Sequence, residues 1–156
     1  MNRPLPGTVH TVLDSFLGHW RGTTRLAAGA WGPEHIADAE VRYTRAAGGY
    51  AVVQSYRHKE ADGSHYEGHG VFTVDPDHEA VLWYYVDSMA GASQGLPARC
   101  TCIDGVLRVE RHSDRETARH TFRVDGSILT HTVELRLGDA GGFSPFMSSE
   151  FRRVSP

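Results

Sequence analysis

The sequence predicts an all-β domain: an antiparallel up-and-down β-barrel of about ten strands with a short N-terminal helix closing one end. Three observations predict it. Apolar and polar residues alternate with a period of two through almost the whole chain from His19 onward. Short turn signals, Gly48-Gly49, Asp62-Gly63, Asp104-Gly105 and Asp125-Gly126, separate the alternating segments. Helical spacing occurs once, at Val9, Val12, Leu13, Phe16 and Leu17, so there is no strand–helix–strand repeat. A meander of hairpins removes its exposed edges by closing on itself. A β-sandwich satisfies the same local periodicity and stays open as the alternative.

In chain order, Met1 to Gly7 form a proline-bearing lead, and Thr8 or Thr11 caps the helix, which Gly18 stops. The first strand, His19 to Leu26, sets Trp20, Gly22, Thr24 and Leu26 on one side, and Gly29 to Pro33 is a loop. His35–Ala46 and Tyr50–Lys59 follow, the latter with Val52, Gln54, Tyr56 and His58 in one row. Next comes the hairpin Ser64 to Ser88, turning at Asp75-Pro76-Asp77-His78. Its first strand opposes His65, Glu67, His69 and Val71 to Tyr66, Gly68, Gly70 and Phe72. Its second opposes Trp83, Tyr85 and Asp87 to Leu82, Tyr84 and Val86. After a loop rich in small residues, Met89 to Leu96, the remaining strands are Pro97–Ile103, Val106–His112, Glu116–Val124, Ile128–Leu137 and Phe146–Val154. Ser113-Asp114 and the glycine-rich Gly138 to Gly142 supply the other connections.

At 156 residues the chain is one domain, 1–156, long enough to enclose a core or a pocket. A net charge of −3, with arginines spread along alternating segments, excludes an electrostatic nucleic-acid binder. The N-terminal stretch lacks an unbroken apolar run, which excludes a secretory signal or membrane helix and leaves a cytoplasmic location by default. Cys100 and Cys102 lie two apart on one strand, point the same way, and are read as buried thiols without a mutual disulfide.

Gly18-His19-Trp20-Arg21-Gly22 after a short helix resembles the Gly-x-Trp start of the lipocalin-like, or calycin, barrels. With Gly48-Gly49-Tyr50, Tyr66-Glu67-Gly68-His69-Gly70, Asp75-Pro76, Trp83-Tyr84-Tyr85 running to Asp87-Ser88-Met89, and Glu150-Phe151-Arg152-Arg153, nearly the whole chain resembles the DUF1579-like members of that class. The resemblance implies that Trp20 packs at the closed end under an arginine of the last strand, which parity with Phe151 assigns to Arg153. A related branch, the nitrobindin-like barrels, implies haem as an alternative cofactor, with His65 and Glu67 where that branch carries His-x-Glu. Gly141 to Ser149 holds no histidine for the axial position, and His131 serves only in a different register.

Two sets of residues are able to carry chemistry. His65, Glu67 and His69 form a proton-transfer or metal-binding wall if their face points inward, and a solvated row if it does not. His120 and His131 each interrupt an apolar row, Ala118-Phe122-Val124 and Leu129-Val133-Leu135, on strands joined by Asp125-Gly126. Such imidazoles need a partner, which is either a core hydrogen bond or a ligand. Tyr56, Tyr66, Trp83, Tyr85, Asp87 and Phe122 are the candidate ligand contacts, aromatic surfaces with a carboxylate at the end of their row. The chain lacks a dinucleotide fingerprint, a phosphate loop and a Cys-x-x-Cys. The reading is therefore a binder of a small apolar or aromatic molecule, with no cofactor, no nucleic acid and no membrane as partner. The alternative is an enzyme that cyclises, isomerises or dehydrates such a molecule with a cavity histidine as acid or base. The choice between monomer and homodimer stays open.

Overall fold

The structure, a computed structural model, describes residues 8–29, 32–75, 80–88, 97–113, 115–138 and 141–154. The expected lead at 1–7, the turn at 76–78, the loop at 89–96 and Asp114 lie outside the described residues. One helix, α1 (Thr8–Phe16), precedes ten strands: β1 (Gly18–Leu26), β2 (His35–Ala46), β3 (Ala51–Lys59), β4 (His65–Asp75), β5 (Ala80–Asp87), β6 (Ala98–Ile103), β7 (Val106–His112), β8 (Glu116–Asp125), β9 (Ile128–Leu137) and β10 (Ser144–Arg153). Each strand pairs antiparallel with its sequence neighbour, and β1 pairs with β10 to close the barrel. The closed meander excludes the sandwich. Among the described residues, no helix is long and apolar enough to cross a membrane.

Turn chemistry sets the registers. Asp104 and Gly105 have φ of 53° and 77°, the left-handed pair that a two-residue hairpin requires between β6 and β7. The last strand begins two residues earlier than its composition suggests. Pro145 lacks an N–H and reads as loop, yet it sits within β10 at a register shift between Pro145 and Met147, where the ladder tolerates it.

Alternation along the strands divides interior from exterior. The core rows are Trp20-Thr24-Leu26, Ala37-Ala39-Val41-Tyr43, Val52-Gln54-Tyr56-His58 and Phe72-Val74, continued by Val81-Trp83-Tyr85, Leu107-Val109, His120-Phe122 and Leu129-His131-Val133. The helix plugs one end because Val12, Leu13 and Phe16 lie on one buried face. The Phe16 ring reaches Tyr43 at 5.5 Å and Phe122 at 6.1 Å. The Trp20 indole N–H donates to Phe16 O at 2.8 Å, and the Arg153 guanidinium lies over the Trp20 ring at 4.2 Å. Arg153 also donates to Leu17 O and Ser15 O, satisfying carbonyls that the helix end leaves unbonded. The expected Trp20–Arg153 pair is thus a clamp that holds the plug onto the barrel.

Gly68 and Gly70 make room for neighbouring rings. A Cβ on Gly68 would lie 1.8 Å from Tyr85 Oη, and one on Gly70 would lie 2.5 Å from both Trp83 Nε1 and Gln54 Oε1. The glycines of β4 therefore seat the aromatic row of β5 flat against the wall. Cys100 and Cys102 are free thiols, whose pKa burial pushes up to about 12 and about 11 respectively.

Candidate functional site

The end opposite the helix is where β2, β4, β6, β8 and β10 begin and β1, β3, β5, β7 and β9 end. It carries most of the interior polar groups. His120 and His131 are both buried and are joined by a hydrogen bond of 2.9 Å between His120 Nδ1 and His131 Nε2. They come together because β8 and β9 pair with Phe122 opposite His131 and His120 opposite Val133. The His131 ring stacks on Phe122 at 4.0 Å, and His120 meets Trp83 edge-on at 4.7 Å. Burial holds both imidazoles neutral. His131 is pushed down to about 3, and His120 falls well below the ordinary range, through burial first, then through the repulsion two protonated imidazoles would meet, and then through Arg111.

Neutrality fixes what the pair presents. A single proton occupies the N···N bond, so whichever ring donates it leaves its own outer nitrogen as an acceptor. The other ring then carries its proton on its outer nitrogen. Among the described residues, neither His120 Nε2 nor His131 Nδ1 has a hydrogen-bond partner. The pair thus offers the interior one donor and one acceptor, and exchange of tautomers swaps them.

A second polar system runs through β1, β2, β3 and β10, and the sequence reading did not single it out. Ser149 Oγ and Tyr56 Oη each lie 2.7 Å from Thr24 Oγ1. Tyr56 Oη lies 2.8 Å from His58 Nδ1, His58 Nε2 lies 2.8 Å from Glu60 Oε1, and Glu60 Oε2 lies 3.1 Å from His35 Nε2. Burial lowers the His58 pKa against the opposing pull of Glu60, while the hydrogen bond from His58 holds the Glu60 carboxyl below its usual range. With Glu60 ionised and only able to accept, His58 carries its proton on Nε2 and accepts a hydrogen bond from the Tyr56 hydroxyl at Nδ1. The legible signal was Gln54 and His58 standing in the same row as Val52 and Tyr56. Gln54 accepts from the Trp83 indole at 3.1 Å and donates to Tyr43 Oη at 3.3 Å.

The other expected residues divide cleanly. Tyr56, Tyr66, Trp83, Tyr85 and Phe122 all face inward. Tyr66 stacks on His58 at 5.0 Å, and its hydroxyl lies 3.2 Å from that of Tyr85. Burial raises both phenols, Tyr85 to about 12. Asp87 ends the β5 row beside them and hydrogen-bonds Tyr66. His65, Glu67 and His69 are exposed, because their parity on β4 is opposite to that of the buried Gly68, Gly70 and Phe72. Of the two facings open to them, the structure has the outer one: Glu67 and His69 line a shallow groove with Glu40 and Arg57. Their nearest N–O approach is 4.0 Å, and no metal-binding group of three His, Cys, Asp or Glu occurs among the described residues.

A haem iron would reach this pair only at its outer nitrogens. The facing nitrogens of His120 and His131 are taken by each other, and their rings are packed against Trp83 and Phe122 at contact distance.

The buried pair makes stability depend on pH. Unfolded histidines take up protons below about pH 6.5, whereas the folded pair stays neutral down to about 3 at His131. The unfolded state therefore binds more protons across this window, and stability falls as pH falls, on the order of 1.4 kcal/mol per pH unit for each histidine. Urea unfolding at intervals from pH 7 to pH 4.5 is expected to show this slope, and H120F/H131F to flatten it. An unchanged slope in the double variant would assign the loss to other groups.

Fold and interior together define a closed ten-stranded antiparallel barrel of the lipocalin-like class, plugged at one end and polar at the other. The chain belongs to the DUF1579 family, described as a protein of unknown function, whose profile matches residues 5–153. Among solved structures it is similar to Rv2717c from M. tuberculosis, at 15% identity and a TM-score of 0.67 over 96% of this chain and 99% of that one. It is also similar to the S-type phycobiliprotein lyase CPES from Guillardia theta, at 12% identity and a TM-score of 0.70 over 95% of this chain and 93% of that one. At these identities the likeness is one of fold. A search of curated proteins finds no match to the chain.

Proposed function

We propose that this barrel binds a small, largely apolar or aromatic molecule between the His120–His131 pair and the end opposite the helix. The observation that carries the reading is the pair itself: two neutral imidazoles inside an aromatic wall, each with an outer nitrogen lacking a described partner. A hydrogen bond made inside an apolar wall is stronger than the same bond in water. A ligand with one donor and one acceptor supplies that bond, and Trp83, Tyr85 and Phe122 supply flat apolar contact.

A second reading rests on the same atoms. A base at one outer nitrogen and an acid at the other would move a proton between two positions of a bound molecule, with the shared proton crossing the N···N bond. Total charge is conserved, and the pair ends in its other tautomer. This is the chemistry of an isomerase, and the fold-related CPES protein is a lyase.

Titration with 1-naphthol, followed by tryptophan emission, tests the binding reading, since Trp83 touches His120. We expect one saturable site in the wild type and at least tenfold weaker binding in H120F. No saturable response to 1-naphthol or other neutral aromatic probes, with no ligand retained in native mass spectra of protein from its own host, would overturn it. Incubation with 2-tetralone in deuterated water separates the two readings, because histidine-dependent deuterium uptake marks turnover.

A further inference from the structure

We propose that the ligand of this barrel is a phenol in chemical class, an aromatic body bearing a hydroxyl group, and that Ser149 accepts the hydrogen bond of that hydroxyl. The inference rests on the reading of the barrel as a ligand-binding domain and adds the chemical class and the residue that selects it.

The direction of the chain of hydrogen bonds from Glu60 to Ser149 is the first argument. Glu60 stands between two histidines, and its Oε2 lies 3.1 Å from His35 Nε2. His35 Nδ1 donates to Pro33 O at 3.0 Å, and the ring's pKa is raised, by that bond first and then by Glu60. Held as a carboxylate, Glu60 accepts from His58 Nε2 at 2.8 Å, which leaves His58 Nδ1 with a lone pair for the Tyr56 hydroxyl. A hydroxyl has one proton to give. Tyr56 has used its own on His58, so Thr24 donates to Tyr56 at 2.7 Å. Thr24 has then used its own, so Ser149 donates to Thr24, also at 2.7 Å. Ser149 Oγ is left with lone pairs and no proton: it faces a ligand as an acceptor only. Hydrogen bonds aligned in this way polarise one another and strengthen that acceptor.

Position is the second argument. Ser149 lies in the buried row of β10 with Phe151, and it pairs with Thr24 on one side and with His131 on the other. Directly opposite side chains on one face have Cβ atoms about 4.5–5.5 Å apart. Ser149 and His131 are thus neighbours, yet among the described residues the first bonds Thr24 and the second bonds His120, not each other. Among the described residues, Arg136 Nε is the one enclosed side-chain nitrogen or oxygen without a partner. The outer nitrogen of His131, Nδ1, therefore borders open space rather than packed atoms. A ligand hydroxyl in that space donates to Ser149 Oγ and accepts from His131 Nδ1–H. This tautomer makes His120 the donor in the N···N bond and leaves His120 Nε2 as a second acceptor. Two acceptors against one donor favour a hydroxyl over an ether or ketone of the same shape.

The test compares 2-naphthol with its methyl ether, 2-methoxynaphthalene, by calorimetry at pH 7 on wild type, S149A and E60Q. The ether keeps the rings and the oxygen but has no proton to donate. Wild type is expected to bind the naphthol at least tenfold more tightly, and S149A to bring that ratio below twofold. E60Q separates a directed chain from a merely structural one. A glutamine amide is able to donate to His58 Nε2, which lets every bond in the chain run the other way and turns Ser149 into a donor. The ratio in E60Q should therefore fall at least threefold, with tighter binding of the ether. Thermal melting shows whether each variant is folded, and the wild-type comparison stands even if S149A is not. Equal affinities in wild type, or a wild-type ratio in folded S149A or E60Q, would overturn the proposal while leaving small-molecule binding intact. Failure of both probes to bind would overturn this proposal together with the reading beneath it.

Discussion

Gly22→Ala is expected to cost more than about 3 kcal/mol, enough to leave much of the protein unfolded at ordinary temperature. Gly22 pairs with Phe151 where β1 meets β10. A Cβ there would lie 1.8 Å from Glu150 O and 2.8 Å from Phe151 Cα. Both are backbone atoms of the facing strand, so no rotamer change relieves the contact, and only separation of the closing strands makes room. Gly142→Ala is the matched control, since nothing lies within 4 Å of the added atom. Urea or thermal unfolding of the two variants is the measurement. A Gly22→Ala protein as stable as wild type would mean that β1 and β10 separate at little cost.

Trp20→Ala is expected to destabilise the barrel by about 3–5 kcal/mol. Trp20 is fully buried beneath the helix, and its loss removes ring packing, the N–H bond to Phe16 O and the surface on which Arg153 rests. Trp20→Phe keeps most of the packing but leaves Phe16 O without its donor, at about 1–3 kcal/mol. The difference between the two variants in urea separates the packing of the plug from its hydrogen bond. A loss below about 1 kcal/mol in Trp20→Ala would show that the plug is not needed to hold the barrel together.

The strands were legible because alternation and turn chemistry are local properties. Val106–His112 and Ile128–Leu137 stand at the limits that their Asp-Gly turns and apolar rows indicate. Pro145 hid the start of β10, since a proline without an N–H resembles a loop residue unless a bulge is known to accommodate it. Inner and outer faces were legible where one row is plainly apolar, as around His120 and His131. On β4 the choice was between two glycines with two aromatics and a polar row. Only the cross-strand seating of Tyr85 and Trp83 over Gly68 and Gly70 decides it, leaving His65, Glu67 and His69 outside. The chain from Ser149 to His35 draws on four strands and the turn after β3, and no sequence spacing encodes it.

The pairing of β1 with β10 has a consequence for how the chain reaches this state. Every other ladder joins strands adjacent in sequence, whereas Trp20 meets Arg153 from the far end of the chain. Bringing such distant segments together costs about 2 kcal/mol more chain entropy than closing a hairpin of about ten residues. The meander is therefore free to grow hairpin by hairpin, while the ring joins only when its last strand is available. Until then β1 and β10 are both bare edges, and each offers its unpaired backbone to any other strand it meets. A growing sheet with two such edges is the form in which this protein is most exposed to pairing between copies, and the closing step removes both at once.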